Sequence, residues 1–555
     1  MVAAGHAGAL TLLLISLTDL KLDALPRAYN CLRDSYHGIH GRRHAFIVDE
    51  TCRTSSFSLL GLGTSVHLAS ELVHPYQSME RRSALGWDPI GAQNPASVPT
   101  VKDEDVLVSE KPAPSLEDGT TRHLVWLERT RVDPALYDAP FDTELGWVLG
   151  NLTTPPPKSL SHPRSDHAGP VAQRVLDTPR APPSTQPFGI QIAYRADDGV
   201  LLSVPGTLLA SFDADGIPCR FWRYSVFPKA PIPLYPVPEE AKKKLRAVLP
   251  SIKFDPVIAS VVDSISVSQL RDDIRHLTGE APSSDIETRH TLSAGALRAA
   301  EWLRERIEET GARCEFTDIR EGWAPNVVCT YGGSTDTTDT IILGAHYDDR
   351  GTSDSSSTRA PGANDDGSGT GALVGIARAI AKSGVLFRKR VQLVAFAGEE
   401  QGMVGSRVYA RELKDAGASV TMMIQADMLS YHAYGEPPQL GLSDPALVGT
   451  AEVTQILANV SAIYSPELTV GYSPYPGGSD HQRFYEYGFP AAQVYERVGL
   501  IKDPMYHNIG DVSERDGYDF EQIKSIAKVE LAAVLHVAGF DLSERNAELA
   551  GGDHS

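Results

Sequence analysis

The chain has 555 residues, 42% of them hydrophobic, so it exceeds one typical domain and has enough apolar material for folded cores. Acidic residues outnumber basic ones 71 to 51, a formal net charge of −20, which argues against nucleic-acid binding as a main role and favours solubility. No stretch is long and apolar enough to span a bilayer.

Ala7 to Leu17 (AGALTLLLISL) is an apolar run of signal-peptide length, so residues 1–20 are expected to be a leader, with a buried helix as the alternative. Neither a preceding Lys or Arg nor a small-x-small cleavage site accompanies it. Five cysteines give an odd count, Cys31, Cys52, Cys219, Cys314 and Cys329. Cys314 and Cys329 lie in neighbouring β-like runs and can pair, as can Cys31 and Cys52, although connectivity does not follow from sequence. Asn151-Leu-Thr and Asn459-Val-Ser are glycosylation sequons.

Residues 154–187 are proline-rich and read as a linker, and Pro228 to Pro238 is a second such stretch. Between them, runs such as IQIAYRA and FWRYSV predict a small β module over about 188–227. Residues 21–250 thus form an N-terminal region of unassigned fold, which could cap a site, act as a propeptide or aid folding.

Residues 251–545 carry a different pattern, before a flexible tail over 546–555. Ala296 to Thr310 predicts an amphipathic helix with Leu297, Ala300, Leu303 and Ile307 on one stripe and Gly311 as its stop. Ile341-Ile342-Leu343, Val391 to Ala397 and Met422-Met423-Ile424 read as buried strands alternating with helices. This predicts an α/β fold with a central, mostly parallel mixed sheet flanked by helices. Ligand sites in such sheets lie beyond the carboxyl ends of the strands. His346 (GAHYDD), Glu399 and Glu400 (AFAGEEQG) and Asp427 (QADMLSY) follow these three runs. Asp365 (PGANDDGSG) precedes a glycine-rich helix start, and His507 lies in YHNIGD. Taken alone, each has a bland reading as a solvated turn, an Asx turn or a hydrogen-bonded histidine. Together, oxygen and nitrogen donors without thiolate suit a hydrolytic zinc site. One aspartate bridging two ions, with one His and one carboxylate for each, makes a two-metal centre and leaves Glu399 free to move protons.

GAHYDD, PGANDDGSG, AGEEQGMVGS, QADM, GGSDHQRF and YHNIGD, in this order, resemble the zinc peptidases of family M28, over about residues 251–540. The resemblance implies a zinc exopeptidase fold and two Zn2+ per subunit. In it, Asp365 bridges the ions, Glu400 and His507 complete one, and His346 and Asp427 complete the other. Glu399 is the general base and later the general acid, and Asp348 orients the His346 imidazole. It also implies a cis Asp365–Asp366 peptide. Some relatives use a tyrosine upstream of the SDH motif for the oxyanion. Here Tyr475 is the candidate, one residue out of register, and Tyr472 lies farther away. The implied activity is metallo-aminopeptidase action on peptide or protein N-termini, in a secreted or vacuolar setting, with a cytoplasmic one as the alternative. A carboxypeptidase, a dipeptidase, a glutaminyl cyclase or a non-catalytic binding protein of the same fold are the competing readings. A serine hydrolase is disfavoured because no GxSxG occurs.

Overall fold

The computed structural model describes residues 10–20, 30–49, 51–52, 63–68, 121–152, 189–215, 217, 219–232, 235–351, 359–474 and 478–543. The linker at 154–187, the tail at 546–555, most of the polar loop before Pro361, and Tyr475 lie outside them.

Four strands form a first sheet: β1 (Leu10–Ser16), β2 (Tyr36–His40), β3 (Arg43–Asp49) and β4 (Gly63–Leu68), in the order β2-β3-β1-β4. A second sheet contains β5 (Arg122–Arg129), β6 (Gln191–Arg195), β7 (Gly199–Pro205) and β8 (Trp222–Val226), in the order β6-β7-β5-β8. The β module expected at 188–227 therefore needs β5, from the other side of the linker, to pair with both β7 and β8. The apolar run read as a leader or helix supplies β1, which pairs antiparallel with β3 and β4. Its two faces both meet apolar partners. Leu13 and Ile15 face one cluster and Leu12 and Leu14 another, which is why the run is continuous rather than alternating.

The second half holds β9 (Arg313–Thr317), β10 (Asn326–Tyr331), β11 (Thr340–His346), β12 (Val385–Phe387), β13 (Arg390–Phe396), β14 (Val420–Ala426), β15 (Gln439–Ser443), β16 (Thr469–Ser473), β17 (Ala491–Tyr495) and β18 (Phe540–Leu542). β12 and β18 pair with each other, and the rest form an eight-stranded sheet in the order β16-β15-β17-β14-β11-β13-β10-β9. β11 runs parallel to β13 and β14, and β14 to β17, while β10 is antiparallel to both neighbours. The centre is thus parallel and the sheet as a whole mixed, an α/β architecture.

The period of two decides what covers each face. Leu343, Leu393 and Ile424 point to one side, against helices that include Ala294–Glu308, Gly367–Ser383 and Phe520–Ala538. Ile342, Val394 and Met423 point to the other. There they share a core with Leu13, Ile15, Tyr36 and Phe46 of the first sheet. The N-terminal half is therefore a layer of the fold. Val125, Leu127, Val200 and Leu202 of the second sheet pack with Met428, Tyr495, Ile501 and Tyr506 near the ends of the central strands.

The helix expected over Ala296 to Thr310 spans Ala294–Glu308, with the Ser293 hydroxyl accepting from Ala296 N. Its buried face is Ala296, Ala299, Ala300, Leu303 and Ile307, so three of the four expected stripe residues face inward and Leu297, 50% exposed, does not. Cys314 pairs with Cys329, directly across β9 and β10, and Cys31 with Cys52, leaving Cys219 free.

Arg289 fixes the segment that leads to Asp365. Fully buried, it donates to the carbonyls of Tyr347 (2.7 Å), Leu277 (2.9 Å), Pro361 (2.7 Å) and Gly362 (2.9 Å) and lies 3.4 Å from Asp349. Arg289→Met would remove the counter-charge of the buried Asp349 and leave these carbonyls without their donor, although Thr288 and the backbone amide of residue 289 would still bond the carboxylate. The expected loss is about 3–5 kcal/mol of stability, read from thermal or denaturant unfolding.

Candidate active site

The candidate side chains gather at the carboxyl edge of the central strands. His346 ends β11, Glu399 and Glu400 follow β13, and Asp427 follows β14. Because β11, β13 and β14 are parallel and in register, three separate runs deliver polar residues to one edge. Asp365 stands just before the helix Gly367–Ser383, and His507 lies in the loop after β17.

Asp365 is the centre of the arrangement. Its Oδ1 lies 3.2 Å from His346 Nε2, and its Oδ2 lies 3.1 Å from His507 Nε2. Asp427 Oδ1 is 3.6 Å from the same atom of His346, and Glu400 Oε1 is 3.2 Å from that of His507. Two His-carboxylate groups thus share one aspartate, and all five side chains are buried. Donors held about 2.0–2.2 Å from one tetrahedral ion are themselves about 3.3–3.6 Å apart, close to these spacings. Glu400 Oε1 is buried and, beyond the 3.2 Å approach of His507 Nε2, meets no well-directed hydrogen-bond donor among the described residues. The donor set and the orphaned oxygen both fit a divalent cation.

The local field agrees. Burial alone would lower the His346 imidazole, but Asp348, Asp365 and Asp427 raise it well above its ordinary range. His507 is raised to about 9, with Glu400 and Asp365 overcoming burial and Arg350. Carboxylates packed this densely favour positive charge. Glu399 lines the same cleft. Burial foremost raises its carboxyl, with Glu400, Asp480 and Asp427 adding to the effect and His346 opposing it.

Asp366 also approaches His346 and Asp427. Its oxygens are already engaged, however, by the amides of His346 (3.3 Å), Gly369 (2.9 Å) and Met428 (3.1 Å). Asp365 is the one whose two oxygens meet both imidazoles, and the peptide joining the pair is cis.

Asp348 holds more than one element. Its carboxylate accepts from the amides of Glu399 (3.2 Å) and Glu400 (3.1 Å). Its Oδ1 is 3.6 Å from His346 Nδ1, too far for a hydrogen bond, and the ring nitrogen lies 3.2 Å from the Asp348 carbonyl instead. Asp511, the last residue of YHNIGD, accepts from the amides of Asn364 and Asp365, each at 3.1 Å. Arg515 in turn braces Asp511 (2.8 Å) and Asp503 (2.7 Å). Met428 and His507, next to the cluster, have φ of 56° and 50°, a left-handed backbone rarely adopted outside glycine and held here by its surroundings.

The N-terminal half reaches the site directly. His507 Nδ1 is 2.7 Å from the carbonyl of Arg220, so this imidazole is oriented by a residue 287 positions away. Glu128, Arg223 and Tyr224 line the cleft with Asp365, Glu399 and His507. Asp366 and Asp511 were visible inside motifs. A backbone carbonyl such as that of Arg220 carries no residue-type signal at all. Tyr472 is 56% exposed on β16, and Tyr475 lies outside the described residues. Among the described residues, Tyr224, Tyr495 and Tyr506 line the cleft, and Tyr506 is stacked on His507 with ring centroids 3.7 Å apart.

Residues 326–534 match the model of Peptidase family M28. A probable leucine aminopeptidase of Trichophyton verrucosum is 28% identical over 308 residues, covering 52% of this chain and 78% of the relative. Leucine aminopeptidase 1 of Ajellomyces capsulatus is 29% identical over 269 residues, covering 46% and 68%. The crystal structure of the Legionella pneumophila LapA aminopeptidase is similar at 20% identity, with a TM-score of 0.48 and coverage of 64% and 95%. Over residues 326–534, then, the chain carries the match to Peptidase family M28, and it is a peptide hydrolase.

Proposed function

We propose that this protein is an aminopeptidase with two zinc ions per subunit. The observation that carries the reading is one carboxylate, Asp365, set between two imidazoles, each with a further carboxylate. His346 and Asp427 would hold one ion, His507 and Glu400 the other, and Asp365 both. Zinc bound there supplies Lewis acidity and lowers the pKa of a bound water towards about 7. Glu399 removes the proton from the attacking water and later gives it to the leaving amine. Asp348 keeps Glu399 aimed by holding its amide. The names of the fungal relatives support the amino end as the one that is read.

The test is hydrolysis of a leucyl chromogenic amide beside its N-acetylated form, with chelator and zinc add-back. Cleavage of the free amine alone, lost with chelator and restored by zinc, is the expected result. Equal cleavage of both forms, or activity that survives metal removal, would overturn the reading. Zinc content should be two per chain by elemental analysis. The two disulfides favour an oxidising compartment, and we extend the proposal to secretion or a vacuolar setting. Intact mass of the cellular material, glycosylated or not, checks that extension.

A further inference from the structure

The loop from which an oxyanion tyrosine was expected is occupied at its described end by an arginine from the other half of the chain. Arg223, on β8, donates from Nη1 to the carbonyl of Gly478, 3.2 Å away. A Cβ at Gly478 would stand 2.4 Å from that nitrogen, so glycine is what lets the guanidinium lie flat on the loop. On its other side Arg223 donates from Nε to Glu128 Oε1 at 2.6 Å. Nη2 has no hydrogen-bond acceptor among the described residues. The side chain lines the same cleft as Glu399, Asp365 and His507.

Glu128 is what makes this an aimed group. It follows Leu124 and Trp126 on one face of β5, and those two residues belong to an apolar cluster. A carboxylate buried there costs stability unless it is paired, and packing alone would be served by an apolar side chain. Its Oε2 is occupied by Trp126 Nε1 at 3.1 Å, which fixes the plane in which Oε1 meets Arg223. The turn after β2 closes over the pair. A Cβ at Gly41 would lie 2.4 Å from Glu128 Oε2. Arg223 is thus held at Nε and Nη1, while Nη2, 2.9 Å from where a Cβ at Gly478 would stand, belongs to a side chain that lines the cleft. Electrostatics keep it charged, since Glu128, Tyr506 and Glu399 outweigh burial.

We propose that Arg223 is a catalytic residue that donates a hydrogen bond to the scissile carbonyl oxygen as water adds, with Glu128 as its positioning residue. As the new carbon–oxygen bond forms, the π electron pair of the carbonyl moves onto that oxygen. A fixed guanidinium stabilises this charge more than it stabilises the neutral carbonyl. The inference rests on the peptidase reading above and assigns to the N-terminal half a part in the chemistry.

The experiment uses full-length, zinc-loaded enzyme and three readouts. Wild-type turnover of the leucyl amide is measured first, and its absence would overturn both readings. Arg223→Met is expected to lower kcat by about 10²–10³-fold with little change in KM. A leucine-derived phosphonate, which mimics the tetrahedral anion, should lose affinity by about the same factor, while leucinamide binds as before. Glu128→Gln should show the same selective pattern in weaker form, and added guanidinium ion should partly restore Arg223→Ala. An active wild type with kcat within about 3-fold in Arg223→Met would overturn the inference alone. So would equal losses for the phosphonate and leucinamide, because a strut between β8 and the Gly478 loop would affect both alike.

Discussion

Glu399→Gln is expected to retain both zinc ions and to lose about 10³–10⁴-fold in kcat. The amide keeps the size and shape of the carboxylate but cannot take a proton from water at neutral pH. Glu399 lines the cleft yet stands outside the four close imidazole–carboxylate approaches around Asp365. The hydrogen bond that its backbone N–H donates to the Asp348 carboxylate survives the substitution. Metal content by elemental analysis and turnover of the leucyl amide therefore separate the two possible failures. A variant with full zinc and near-normal turnover would remove Glu399 from the mechanism. A variant without zinc would make it a ligand.

The second large effect is structural. Expressed alone, residues 239–555 should give no soluble, cooperatively folding protein. Val328, Ile342, Val394, Phe396, Met423 and Phe484 share their core with the first sheet. Exposing side chains of this kind costs about 1.5–3 kcal/mol each. The sum is on the order of 10 kcal/mol, comparable with the whole stability of an ordinary domain. His507 would also lose the Arg220 carbonyl that orients it. Soluble yield, size-exclusion profile and thermal unfolding decide the matter. A monodisperse fragment with a sharp transition and bound zinc would refute the account and make residues 1–238 dispensable.

What could be read from the sequence follows the range of each interaction. His346, Glu400 and Asp427 stand at the ends of short buried runs, so strand pattern and motif both pointed to them. The partners of those runs were harder. The seven residues of β1 have the local signal of a leader, a buried helix or a doubly buried strand, and only the apolar surfaces above and below distinguish these. Leu297 was misplaced because a stripe of small alanines buries a face that a larger neighbour imitates. β5 escaped notice because its partners β7 and β8 lie beyond the linker. Arg223 and Glu128 were invisible for the same reason, since nothing within ten residues of either hints at a metal centre.

The hairpin between β2 and β3 has a consequence for how the protein is made. Ile39 N donates to Glu486 across 447 positions, and the apolar face of the same sheet meets strands almost as distant. At about 5–20 residues per second, a ribosome takes about 20–90 s to deliver the second surface after the first. During that interval Leu13, Ile15 and Phe46 have no cover. A chain that places one wall of its cleft at each end thus leaves an apolar sheet face uncovered for most of its synthesis. By the proposed ligand set, the site also stays incomplete until His507 has emerged.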